Sequence, residues 1–128
     1  MPTDKDYTNR RLLIIGTHGE ENVEKATMTF MCANAATAIG IKTKIFLTGN
    51  GVKLAKKGYV EKLPTTDGMA SIKELMDSFI EAGGGLQICI PCLEARGISK
   101  DDFMEGVEFI TMMDVTGDIM DSDKVFTC

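Results

Sequence analysis

Residues 11–16 read Arg-Leu-Leu-Ile-Ile-Gly, a short run of branched apolar side chains that a glycine ends. A strand with one solvated face alternates polar and apolar residues, whereas a continuous apolar run indicates a strand buried on both faces. Such strands occur mainly in parallel sheets, whose connecting helices cover both faces. The stretch 11–16 therefore predicts a central strand of an α/β protein.

Helical and extended patterns alternate along the rest of the chain. Further strands are predicted at 42–48, 86–90, 107–110 and 124–127, and helices at 23–39, 52–57, 69–82, 99–106 and 112–120. Strands that alternate with helices imply crossover connections and a mostly parallel sheet with helices on both faces. The predicted fold class is α/β, a three-layer α/β/α sandwich with a mostly parallel five-stranded sheet.

Length and composition indicate one domain. The chain has 128 residues, 44% of them apolar, which suffices for a single core. Residues 1–10 are polar and are predicted to form a flexible N-terminal tail, which leaves 11–128 as the domain.

The charge argues against two classes of partner. The net charge is −5 and the lysines are scattered, so we expect neither nucleic acid nor an anionic membrane surface as a partner. No signal-peptide pattern is visible, and the longest mostly apolar stretch, 26–41, is interrupted by polar residues and too short to span a bilayer. We therefore expect a cytoplasmic protein.

The predicted helix 23–39 is apolar nearly all round. A helix on one sheet face needs only one apolar stripe, so this pattern indicates burial on more than one side. A subunit interface is the favoured interpretation, because a chain this small has few helices to cover it. The alternative is a helix that packs against both the sheet and a neighbouring helix.

Cys92 is the strongest candidate for chemistry. Ligands of open parallel sheets bind beyond the carboxyl ends of the strands, and Pro91 ends the third strand just before this cysteine. If the following turn is helical, its N–H groups and Arg96 favour a thiolate. We predict a reactive thiolate at Cys92. The alternative is an inert loop cysteine.

Cys89 forms a Cys-x-x-Cys motif with Cys92, but it lies inside the predicted strand. In an extended chain their Cα atoms would be roughly 10 Å apart, whereas a disulfide needs about 7 Å or less. The pair can meet only if the chain bends sharply at 90–91. Cys89 is therefore either buried apolar filler or a resolving thiol.

Other groups are expected at the same edge of the sheet. His18 follows the first strand and is a candidate proton donor or acceptor, with a surface loop residue as the alternative. Thr17, Asn50 and Arg96 are candidate substrate-binding residues. One Cys-x-x-Cys and one histidine fall short of four zinc ligands, and 16–19 lacks both nucleotide-binding fingerprints, so no metal or cofactor is predicted.

Several segments together resemble the DsrE/DsrF-like sulfurtransferases. They are 12–17, 44–48 with 51–52 following, Cys89-Ile-Pro-Cys-Leu-Glu-Ala-Arg-Gly-Ile98, and 106–110 through 123–127. The resemblance covers nearly the whole chain and depends on the order and spacing of the segments. It implies a three-layer α/β/α fold, homo-oligomers that are commonly trimers or hexamers, and sulfane-sulfur acceptance by a cysteine after a central strand, which maps to Cys92.

The resemblance also implies rhodanese-like and TusA-like carriers as sulfur donors or acceptors. The favoured hypothesis is a sulfurtransferase that holds sulfur as a persulfide on Cys92 and passes it to an acceptor thiol. Some family members lack the active cysteine, so the fold alone does not establish transfer. A non-catalytic oligomeric binding subunit is the alternative, and a Cys-x-x-Cys dithiol oxidoreductase is a weaker one.

Overall fold

The computed structural model describes residues 6–128, which fold around one five-stranded sheet. The strands are β1 (Arg11–Gly16), β2 (Lys42–Leu47), β3 (Gly85–Cys89), β4 (Glu108–Ile110) and β5 (Lys124–Thr127). The α-helices are α1 (Val23–Ala38), α2 (Ile72–Glu81), α3 (Ile90–Ala95) and α4 (Met112–Asp121). Short 3₁₀ helices span Glu20–Asn22, Gly49–Ala55, Val60–Lys62 and Lys100–Asp102.

Every strand pair is parallel, in the order β4-β3-β2-β1-β5. The chain moves in one direction from β1 to β4 and then returns past β1 to β5. Because parallel crossovers are right-handed, this reversal places α1 and α2 on one face and α4 on the other. The predicted α/β class with a parallel five-stranded sheet is confirmed.

The core between the sheet and its first helical layer is dense. Ile14 of β1 is fully buried, and Phe30 of α1 meets Phe79 of α2 edge to face with ring centroids 6.3 Å apart. Asn34 donates a hydrogen bond from Nδ2 to the carbonyl oxygen of Leu75 at 2.9 Å, which ties the two helices together.

Helix α1 packs against both the sheet and α2, as the second interpretation of its apolar surface expected. Met28, Met31 and Ile39 nevertheless stay exposed on its outer side. Whether this outer side is also a subunit interface remains a prediction.

Two predicted helices, 52–57 and 99–106, are only 3₁₀ helices. Gly51 passes so close to β1 that a Cβ atom there would lie 2.3 Å from the Gly16 carbonyl oxygen, which keeps its segment tightly wound. In the second segment, Ser99 accepts from the N–H of Asp101, and the backbone returns to an extended conformation at buried Phe103. Burial of Phe103 thus ends the helix after three residues.

A buried polar side chain of the sheet lies under α4. Gln87 of β3 is buried, and its Nε2 donates to Asp118 Oδ2 at 2.9 Å. Lys44 Nζ lies 3.6 Å from the other oxygen of Asp118. Within residues 6–128, Gln87 Oε1 has no hydrogen-bond partner.

The predicted tail, 1–10, lies partly outside the described residues. The N–H of Asn9 donates to the Gly40 carbonyl, and the Arg10 carbonyl accepts from Lys42. Of the helices within residues 6–128, none combines the length and the apolar character needed to cross a lipid bilayer.

Candidate thiol site

The carboxyl ends of β2 and β3 converge on one sulfur atom. Cys92 Sγ lies 3.1 Å from the Thr48 hydroxyl oxygen and 3.2 Å from the backbone nitrogen of Gly49. Parallel pairing of Leu47 with Ile88 sets these two strand ends side by side. The side chain of Cys92 is partly buried, so its sulfur is held by the protein yet remains open on one side.

A sharp change of direction brings Cys92 back toward the strand. Cys89 is the last residue of β3 and the N-cap of α3, and the helix begins at the next residue. Pro91 lies in the first helical turn, where its missing N–H breaks no helical hydrogen bond. The bend that the sequence required at 90–91 is present.

The backbone donors differ from those expected. The sequence predicted that N–H groups of the turn after β3 would point at the Cys92 sulfur, but the amide there comes from Gly49 after β2. Cys89, the N-cap of α3, accepts no capping hydrogen bond through its side chain. First-turn N–H groups point back toward the N-cap residue, which here is Cys89.

The two thiols differ in acidity. Burial raises the pKa of Cys92, but interaction with the Cys89 side chain, hydrogen bonds with Thr48 and the Gly49 N–H, and the charge of Arg96 outweigh it and hold the pKa below its ordinary value. Burial raises the pKa of Cys89, and interaction with the Cys92 side chain raises it further. Deprotonation of the pair therefore favours a thiolate on Cys92 and a thiol on Cys89.

Arg96 and Asn50, two predicted substrate-binding residues, lie together beside this sulfur. Arg96 donates from Nε to Asn50 Oδ1 at 3.2 Å and from Nη1 to the Cys92 carbonyl at 3.1 Å. The guanidinium is exposed and thus places a positive charge at the open side of the site.

Thr17 and His18 lie at the same edge but make other contacts. The Thr17 hydroxyl donates to the Cys128 carbonyl at 3.1 Å, which joins β1 to the end of β5. His18 Nδ1 lies 2.9 Å from Glu21 Oε2. The roles predicted for both residues, in substrate binding and in proton transfer, remain predictions.

An exposed network that the sequence did not suggest fastens the loop after β1 to the loop after β2. Glu20 accepts hydrogen bonds from Tyr59 Oη and, at 2.9 Å, from Lys53 Nζ. The bond from Tyr59, with the second from Lys53, lowers the pKa of Glu20 to about 2. Gly19 lies close to the loop after β2, and a Cβ atom at Gly19 would be 2.7 Å from the Asn50 carbonyl oxygen.

The described part of the chain holds no cluster of three or more His, Cys, Asp or Glu side chains arranged to bind a metal ion. All four cysteines are free thiols.

The sequence model that describes the DsrE/DsrF-like family matches residues 10–128 of the chain. The chain belongs to the DsrE/DsrF-like family. This confirms the resemblance found in the sequence, including its extent over nearly the whole chain.

Two uncharacterized proteins are similar to the chain in sequence. The chain is 39% identical over 102 residues to the uncharacterized protein MK0008 of Methanopyrus kandleri, which covers 80% of each chain. It is 34% identical over 117 residues to the uncharacterized protein MJ0989 of Methanocaldococcus jannaschii, covering 91% of this chain and 98% of that protein.

Solved structures share the DsrE-like fold. The ychN protein from E. coli has a TM-score of 0.77 at 19% identity and covers 93% of this chain and 99% of its own. MTH1491 from Methanobacterium thermoautotrophicum, a protein of unknown function, has a TM-score of 0.66 at 15% identity and covers 92% and 98%. At these identities the likeness extends to the fold alone.

Proposed function

We propose that this DsrE-like protein is a sulfurtransferase that accepts sulfane sulfur as a persulfide on Cys92 and passes it to an acceptor thiol. One observation carries the proposal: a partly exposed sulfur at the carboxyl edge of the sheet is hydrogen-bonded by the Gly49 N–H and the Thr48 hydroxyl. These neighbours favour the thiolate, which is the nucleophilic form of cysteine. Membership of the DsrE/DsrF-like family supports a role in sulfur metabolism.

The transfer takes two displacements. The Cys92 thiolate attacks the outer sulfur of a donor such as thiosulfate or a protein persulfide, and the donor S–S bond breaks to release sulfite or the donor thiolate. An acceptor thiolate then attacks the outer sulfur of Cys92–S–SH, which restores the Cys92 thiolate. Arg96 and the Gly49 amide stabilise the anionic sulfur at each stage.

We further propose that the protein works as a homo-oligomer, with rhodanese-like or TusA-like proteins as donors and acceptors. Helix α4 supports assembly, because Met112, Met113 and Met120 are all exposed on it, Met113 to 86%. Apolar groups concentrated on one surface favour protein contacts. The open side of Cys92 leaves room for a donor to approach.

Intact-mass spectrometry tests the transfer step. The reduced protein is incubated briefly with thiosulfate or polysulfide, and we expect a gain of one sulfur atom. Cys92→Ser should abolish the gain, whereas the matched variant Cys128→Ser, also at the sheet edge, should keep it. An adduct that survives in Cys92→Ser would contradict the assignment. No adduct in any variant would instead favour a binding subunit of the same fold.

A further inference from the structure

Cys89 is a second sulfur that the transfer reaction does not use. Its side chain is 1% exposed and belongs to the hydrophobic core, while Cys92 packs against that core from the edge. The Cys92 side chain is close enough to perturb the pKa of Cys89. We propose that Cys89 is a resolving thiol, which discharges a Cys92 persulfide as sulfide. This inference rests on the proposed function.

The backbone places the pair within bonding range. Cys89 and Cys92 are three residues apart across the first turn of α3, and residues so spaced on a helix have Cα atoms about 5 Å apart. A disulfide needs Cα atoms within about 7 Å, so the bend at 90–91 brings the pair into that range. In an extended strand the Cα atoms of the two cysteines would be too far apart for a disulfide.

The direction of attack follows from burial. In the proposed step the buried Cys89 sulfur attacks the inner sulfur of the persulfide from the core side, and the outer sulfur leaves toward solvent, where Arg96 is exposed. This arrangement sets nucleophile and leaving group on opposite sides of the inner sulfur, as thiol–disulfide exchange requires.

The step balances as follows. The Cys89 thiol loses its proton to water, and its thiolate forms a bond to the inner sulfur. The bond between the inner and outer sulfurs breaks, and the outer sulfur leaves as HS⁻. Two cysteines are oxidised to a disulfide while the sulfane sulfur is reduced to sulfide. A low-molecular-weight thiol or a protein dithiol then reduces the disulfide and restores both thiols.

Because the pKa values of the two thiols are shifted in opposite directions, loading of Cys92 and discharge by Cys89 depend differently on pH. Hydrogen bonds lower the pKa of Cys92, so more of it is thiolate at a given pH than of an ordinary cysteine, which favours loading. Burial raises the pKa of Cys89, so its reactive thiolate is scarce at neutral pH and increases as the pH rises. We therefore expect a persulfide that persists long enough to meet an acceptor and discharges faster in alkaline solution.

A single-turnover experiment tests the resolving role. A Cys32→Ser/Cys128→Ser background leaves only the two thiols in question. This protein is loaded with a persulfide donor and desalted, and intact mass and released sulfide are followed with time. We expect the added sulfur to disappear, a disulfide to form, and one sulfide to be released per chain. Cys89→Ser and Cys89→Ala should each hold the persulfide at least about tenfold longer.

The outcomes are distinct. Equal persulfide lifetimes with and without Cys89, or sulfide release without a disulfide, would overturn the resolving role and leave transfer through Cys92 intact. Failure of the proposed function itself would appear earlier, as no loaded species in either the background protein or its Cys89→Ala derivative. The alanine variant introduces no hydroxyl into the core, and circular dichroism on both variants checks that the fold is retained.

Discussion

At the scale of single residues, the site depends on which atoms surround the Cys92 sulfur. Cys92 could be identified from the sequence alone, because a strand that ends at a proline and is followed by a turn is visible as a local pattern. It placed the loop after β2 at the same edge, but it did not identify Thr48 and Gly49 as the donors. Their contact with the sulfur depends on the register between β2 and β3, which arises only from tertiary pairing.

Thr48→Val should make Cys92 less acidic, because valine keeps the shape of threonine but removes the hydroxyl that bonds the sulfur. Hydrogen bonds to charged groups contribute about 1.5–3 kcal/mol, and partial exposure reduces this, so we expect the pKa of Cys92 to rise toward the ordinary value of a cysteine. The measurement is the rate of alkylation by iodoacetamide against pH.

The sign of this effect is fixed by the lowered pKa of Cys92. Alkylation slows as the pH falls through that pKa, and the midpoint of the fall should move to higher pH in Thr48→Val. Thr48→Ser retains a hydroxyl and serves as the control, with a profile close to that of the wild type. Superimposable profiles for valine and wild type would rule out a role for the hydroxyl.

At the scale of elements, strands were easier to predict than the segments between them. The bounds of β1 and β5 agree with the sequence prediction, since each is a short apolar-rich run between clear boundaries. The 3₁₀ helix Gly49–Ala55 was predicted as a later and regular helix. Its form is set by contact with the end of β1, a distant part of the sequence that local periodicity does not report.

Gly51→Ala should destabilise the protein and disturb the site. The added methyl group would lie 2.3 Å from the Gly16 carbonyl oxygen, so the segment after β2 must move. Such overpacking costs about 1–3 kcal/mol of unfolding free energy. The movement should also withdraw Thr48 and Gly49 from Cys92, which slower alkylation at neutral pH would reveal.

Gly117→Ala provides the matched control. Gly117 lies within α4, and a Cβ atom there meets nothing within 4 Å. Alanine is a better helix former, so this variant should gain about 0.5–1 kcal/mol of stability with unchanged alkylation of Cys92. Urea unfolding measures both variants. If Gly51→Ala were as stable as the wild type, the segment 49–55 would be more adaptable than its packing indicates.

At the scale of the whole molecule, the five parallel strands bring all their carboxyl ends to one edge. Thr17, Thr48 and Cys92 follow three different strands and so lie at that edge, although the first and the last are 75 positions apart in the sequence. The sequence predicted this convergence from the fold class alone. It could not separate residues that touch the sulfur from residues, such as His18, that pair with another neighbour.

Assembly is the prediction that belongs to this scale. Met113→Glu places a charge on the most exposed methionine of α4 and should weaken a homo-oligomer that buries this surface. Size-exclusion chromatography with light scattering measures the mass. Lys62→Glu, in the Val60–Lys62 turn, is the control for a charge change elsewhere and should assemble normally. A wild-type protein that is monomeric at micromolar concentration would contradict the proposal.

The Gly49 contact has a consequence for how this chemistry can persist while sequences diverge. The donor aimed at Cys92 is a main-chain amide, which every residue type except proline could supply, but Gly49 holds it at φ 56°, a left-handed backbone conformation that favours glycine. We therefore expect glycine at position 49 to be retained when other side chains of the loop after β2 change. An insertion or deletion in this loop would displace the Gly49 amide, and we expect it to make the Cys92 thiol unreactive.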